Sequence, residues 1–152
     1  MQSSPAQSRH DEAGFGRPAS TSTRTAVLAA AADLAVVLGF AAVGRGFHSI
    51  ENPVVGVLAT AWPFVVGLAV AWGALRIWRR PLPVWPAGVA AWLGAYILGM
   101  LLRAATGGGT APAFLLVAFA TLGAFIVGWR AVVWGIGAAL RRSRRGGGVS
   151  GG

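Results

Sequence analysis

Asp33 and Arg130 are single charges set in long apolar runs, Thr25 to Gly44 and Ala113 to Leu140. Side chains of this type in such surroundings can do chemistry. A carboxylate inside a membrane span costs about 2.5–3.5 kcal/mol, so something must compensate it. Asp33 lies nine residues past Arg24, and Arg130 lies eleven residues before Arg141. If the two runs are antiparallel helices, a rise of about 1.5 Å per residue brings both side chains to the same depth within about 3 Å. The expectation is a buried Asp33–Arg130 pair joining the first helix to the last. Three roles are open for these residues. The pair fixes helix register; Asp33 takes up and releases a proton or a cation; or Asp33 faces another subunit while Arg130 snorkels alone to the headgroups.

A second polar group gathers around the end of the first run. Arg45 and His48 are three residues apart, as are His48 and Glu51, so each pair shares a face if the helix continues. Arg103 closes the third run on the same side. Together they form either a small polar mouth for an anion or a proton, or an ordinary interfacial anchor. A metal needs a third ligand beyond His48 and Glu51, and Asp33 lies about 18–20 Å deeper. The glycines between Thr106 and Thr110 lack the Gly-Lys-Ser/Thr of a phosphate loop. No His-Glu-x-x-His or Gly-x-Ser-x-Gly occurs, and the remaining acids, Asp11 and Glu12, lie in a polar N-terminal stretch. No enzymatic activity, metal or cofactor is expected.

The elements that position these residues are four apolar runs. Val54 to Leu75 and Val84 to Leu102 carry no charge at all, and the other two carry only Asp33 and Arg130. Each is long enough for a hydrocarbon core of about 30 Å, which takes about 20 helical residues. None shows the ten-residue alternation of a barrel strand. The fold expected is an all-α integral membrane bundle of four transmembrane helices, about 25–44, 54–75, 84–102 and 113–136. A tail at 1–24 precedes the transmembrane domain 25–140, and a basic Gly-rich tail follows at 141–152. Pro63 falls inside the second helix, where it has no N–H for the Ala59 carbonyl; a kink is expected, with Thr60 placed to satisfy a freed carbonyl.

Composition agrees. Of 152 residues 55% are hydrophobic and only 11% charged, with mean hydropathy +0.64; a soluble domain carries about a quarter charged residues. The absence of cysteine excludes disulfides and thiol chemistry. A net charge of +9 would suggest nucleic acid in a soluble chain. Here the arginines cluster just outside apolar runs, at Arg9, Arg17 and Arg24, at Arg76, Arg79 and Arg80, and at Arg141, Arg142, Arg144 and Arg145. No nucleic-acid partner is expected. Only Arg45 and Arg103 occupy the other two connections, so the positive-inside rule puts both termini in the cytoplasm. Trp72, Trp78, Trp85, Trp129 and Trp134 lie toward the same side and read as an interfacial belt. The expected location is a bacterial plasma membrane with anionic lipid at its cytoplasmic face. Small residues recur at four-residue spacing at Ala31/Ala35/Gly39, Ala91/Ala95/Gly99 and Ala120/Ala124/Gly128, suited to close helix packing within the chain and, more weakly, between chains.

These residues also form a pattern. Asp33 lies inside helix 1, which Gly44-Arg45 and His48 close; Ala61-Trp62-Pro63-Phe64 lies in helix 2. Gly99-Met100 with Arg103 ends helix 3, and Gly128-Trp129-Arg130 lies in helix 4. Over about residues 25–135 this resembles a family of small bacterial four-helix membrane proteins described as domain of unknown function 3054. The resemblance implies the same topology and no particular activity. Two functional classes follow from the sequence: an accessory or structural membrane subunit acting through helix contacts with itself or a membrane protein partner, and a small oligomeric transporter or channel coupled to protons or ions through Asp33.

Overall fold

A computed structural model of the chain describes residues 22–45 and 53–146. Four helices carry the fold: α1 (Thr23–Arg45), α2 (Pro53–Ala74), α3 (Val89–Ala105) and α4 (Pro112–Gly146). Each lies in a segment long and apolar enough to cross a membrane. The exterior remains apolar, with Leu28, Leu58, Leu101, Leu116, Phe125 and Leu140 all exposed. Water cannot solvate such a surface, whereas lipid tails can. The chain is a multi-pass membrane protein.

Pairs of contacting residues give the relative direction of the helices. Asp33 meets Trp72 while Phe40 meets Phe64, so α1 and α2 run in opposite directions. Asp33 meets Arg130 while Phe40 meets Phe114, so α1 and α4 do as well. Gly67 abuts Gly94, and Phe64 abuts Gly99, which sets α3 against α2 in the same sense. The result is an up-down bundle in which every sequence neighbour is antiparallel. The core divides along its axis. A triangle of Phe40, Phe64 and Phe114, with centroids 5.5–6.4 Å apart, fills the end where α1 finishes. Toward the arginine-rich end the core closes around Asp33 and Arg130.

The tightest seam is α2 against α3. A Cβ on Gly67 would stand 2.6 Å from the Gly94 carbonyl oxygen, and one on Gly99 would stand 2.6 Å from the Phe64 ring. Only hydrogen fits at either place. Of the three four-residue ladders, Ala91/Ala95/Gly99 is buried in this seam. The other two do not pack inside the bundle. Ala31, Ala35 and Gly39 are exposed, as are Ala120 and Ala124, and nothing lies within 4 Å of a Cβ on Gly39 or Gly128. Side chains at 33, 37 and 41, and at 118, 122, 126 and 130, hold the inward faces of α1 and α4 instead.

Two boundaries differ from the sequence expectation. Residues Arg141 to Gly146 continue α4 rather than starting the tail, because nothing there breaks a helix before the terminal glycines. Regular helix α3 starts at Val89; Val84–Gly88 is a wide π-type turn in which Trp85 is extended (φ −114°, ψ 132°) and joined to Pro86 by a cis bond. Helix α2 passes through buried Pro63 and stays helical from Pro53 to Ala74. The Thr60 hydroxyl donates to the Gly56 carbonyl at 3.1 Å, not to Ala59. That carbonyl is one turn back from Thr60 itself, the usual reach of a helical threonine.

Candidate functional site

The polar centre is assembled from four separate stretches of chain. Helix α1 contributes Asp33, the sole acid among the described residues, and α4 contributes Arg130; both are 0% exposed. The guanidinium faces the carboxylate edge-on, with Nη1 donating to Oδ1 at 2.6 Å and Nη2 to Oδ2 at 2.7 Å. This bidentate geometry is among the strongest available to a buried ion pair. From α2 the Trp72 indole N–H donates to Oδ2 at 3.0 Å, and from α4 the Trp129 indole donates to Oδ1 at 3.0 Å. A carboxylate offers about four lone-pair positions. All are taken.

Arg130 is held as firmly. Its Nε donates to the Pro81 carbonyl at 2.9 Å and its Nη1 also donates to the Ile126 carbonyl one turn back, at 2.8 Å. The guanidinium carbon lies 4.4 Å from the centroid of the Trp129 ring, within cation–π range. Gly88 leaves the space its aliphatic stem needs, since a Cβ there would come within 2.8 Å of Arg130 Cδ. Among the described residues no buried side-chain nitrogen or oxygen lacks a partner. Two desolvated charges are thereby compensated in place, which is the condition for keeping a pair inside hydrocarbon.

Depth follows from the partners. Asp33 is halfway along α1, yet it is reached by Trp72, two residues from the end of α2, and its arginine is reached by Pro81 in the connection that follows. The centre therefore lies just beneath the arginine-rich connection. Left-handed Arg76 (φ 49°, ψ 44°) ends α2, and a 3-10 turn, Ile77–Arg79, buries Ile77 on the way to Pro81.

Two partners of the site, Trp72 and Trp129, read in the sequence as belt tryptophans; both instead turn an indole N–H inward to Asp33. Trp85 and Trp134 keep the exposed position of a belt, at 75% and 68% exposure. A Trp four residues before the Arg76 connection, or next to an intramembrane arginine, was the available signal. The Pro81 carbonyl had none, being a backbone group.

Of the expected polar mouth at the opposite end, only the Arg103 side chain falls among the described residues. Arg103 folds over its own connection, with Nε donating to the Gly109 carbonyl at 2.9 Å and the guanidinium 4.6 Å from the Phe114 ring centroid. Arg45 is the last residue of α1, and His48 and Glu51 lie outside the described residues. No group of three metal-ligating side chains occurs among the described residues.

No curated protein and no solved structure matches the chain. The sequence profile of the family described as Protein of unknown function (DUF3054) matches residues 30–133, from just before Asp33 to just after Arg130, and so covers α2 and α3 whole, most of α1 and α4, and the whole polar centre. The chain belongs to that family.

Proposed function

We propose that this protein is a non-catalytic subunit of a bacterial plasma membrane, with both termini cytoplasmic, that works by offering helix surfaces to a second copy or to a membrane protein partner. One observation carries the reading. The intramembrane charge is committed internally, while the small-residue ladders of α1 and α4 are turned outward. Close approach of smooth faces is the main source of helix association in lipid, where hydrophobic burial gives nothing. A lateral cleft of about 580 Å³ runs between those helices, with Ala35 and Gly39 on one wall and Val117, Thr121 and Phe125 on the other. Its α1 wall carries the small residues that let a neighbouring backbone come close.

A carrier that cycles protons through Asp33 has less support. Each carboxylate oxygen already accepts two donors, so a proton could bind only by displacing an indole or the guanidinium. Such a carrier needs a free lone pair, and the filled shell offers none.

The test is chemical cross-linking in native membranes, followed by mass determination of the tagged full chain with and without Gly39→Leu. The expected result is a species of defined higher mass that Gly39→Leu abolishes without changing the amount of protein. A chain that stays monomeric and alone in its own membrane sinks the proposal.

A further inference from the structure

At the arginine-rich end a second cleft, about 820 Å³, opens between the connection that precedes α3 and the last part of α4. Leu82 and Trp85 form one wall; Val133, Trp134 and Gly137 form the other, with Arg141 at the end of the cleft. Trp134, Gly137 and Arg141 follow one another at helical spacing and so form a single stripe. The Arg141 side chain lies back along this stripe, since a Cβ on Gly137 would stand 3.6 Å from its Nη1. The cleft is thus apolar along its length and cationic at one tip.

Helix length places the tip. α4 has 35 residues, about 52 Å of helix, against about 30 Å of hydrocarbon. If Pro112 begins near one boundary, the other falls near Trp134. Arg141 is about 10 Å further along, at headgroup level. Trp85 and Trp134 then flank the boundary, where indoles concentrate. Asp33, the sole acid among the described residues, is already held by Arg130, so none of them offers Arg141 a carboxylate.

We infer that this cleft is a binding site for one anionic phospholipid, its acyl chain along the Leu82/Trp85/Val133/Trp134 walls and its phosphate on Arg141. Apolar walls with a terminal guanidinium match both ends of an amphiphilic anion, whereas a water-soluble anion would use the guanidinium alone. The site does not depend on whether the protein associates through α1 and α4.

Native mass spectrometry of the delipidated full chain in detergent decides it, with dioleoyl phosphatidylglycerol and dioleoyl phosphatidylcholine offered together. One phosphatidylglycerol is retained, preferred over phosphatidylcholine by about fivefold, the ratio that about 1 kcal/mol for one arginine at an anionic surface implies. Arg141→Gln removes that preference, Gly137→Leu removes retention of both lipids by filling the cleft, and Arg144→Gln changes neither. Equal retention of the two lipids overturns the inference. So does a loss with Arg144→Gln equal to that with Arg141→Gln, which marks diffuse charge rather than a site. Displacement of the lipid by glycerol 3-phosphate alone overturns it as well. Should Gly137→Leu fail to fold, the comparison of Arg141→Gln with Arg144→Gln, both at exposed positions near the end of α4, still separates a site from diffuse charge.

Discussion

At Asp33 the cost of a charge in lipid is offset by four donors from three directions, and removing any of them exposes that cost. Asp33→Asn leaves the Arg130 guanidinium buried without its anion, a change that costs about 3–5 kcal/mol when a buried pair is broken. The expected result is a large drop in thermal stability of the detergent-solubilised protein and in its membrane abundance. Asp33→Leu combined with Arg130→Met removes both charges and should be less damaging than either single change. Unchanged stability for Asp33→Asn would show that the pair locks nothing. Part of this centre was legible beforehand. Two isolated opposite charges at matched depth on antiparallel helices leave few alternatives. The indoles of Trp72 and Trp129 were not legible, because a tryptophan near a membrane boundary occupies the same sequence position whether its N–H points to headgroups or to a carboxylate.

Between elements, the packing separates glycines that look alike in the sequence. Gly67 faces backbone: a methyl there meets the Gly94 oxygen at 2.6 Å, the Gly99 nitrogen at 3.0 Å and the Ala95 oxygen at 3.1 Å. Backbone cannot swing aside as a side chain does, so Gly67→Ala should push α2 from α3 and cost about 1–3 kcal/mol. Gly39→Ala meets nothing within 4 Å and replaces a poor helix former, so it should be neutral or gain up to about 1 kcal/mol. Unfolding of the two variants in mixed micelles measures the contrast; equal effects would contradict the α2–α3 seam. The four helices and their order were readable from hydrophobic runs alone. Which smooth face turned inward was not, because lipid and protein interior are equally apolar and the periodicity at Ala31/Ala35/Gly39 matches that at Ala91/Ala95/Gly99. The inward face of α1 is set by Asp33, whose partner is at Arg130, and that leaves the ladder outside.

For the whole molecule, the antiparallel order puts one end of the bundle at Arg24, the Arg76–Arg80 connection and Arg141, and the other at Arg103 and the Thr106–Thr110 turn. The charge difference between the ends favours holding the first in the cytoplasm, where arginines are retained during insertion and meet anionic lipid. The same orientation sets the leaflet that supplies the Arg141 cleft. Because the chain has no cysteine, a single introduced one reports sidedness without background. Thr110 is exposed on the short connection between α3 and α4, and Ser143 is exposed near the end of α4. Thr110→Cys should react with a membrane-impermeant maleimide on intact cells, and Ser143→Cys only after the membrane is opened. The opposite pattern would place the arginines outside and move the lipid site to the outer leaflet. Labelling of both positions on intact cells would mean that the chain inserts in both orientations, and that the arginine asymmetry is too weak to hold one.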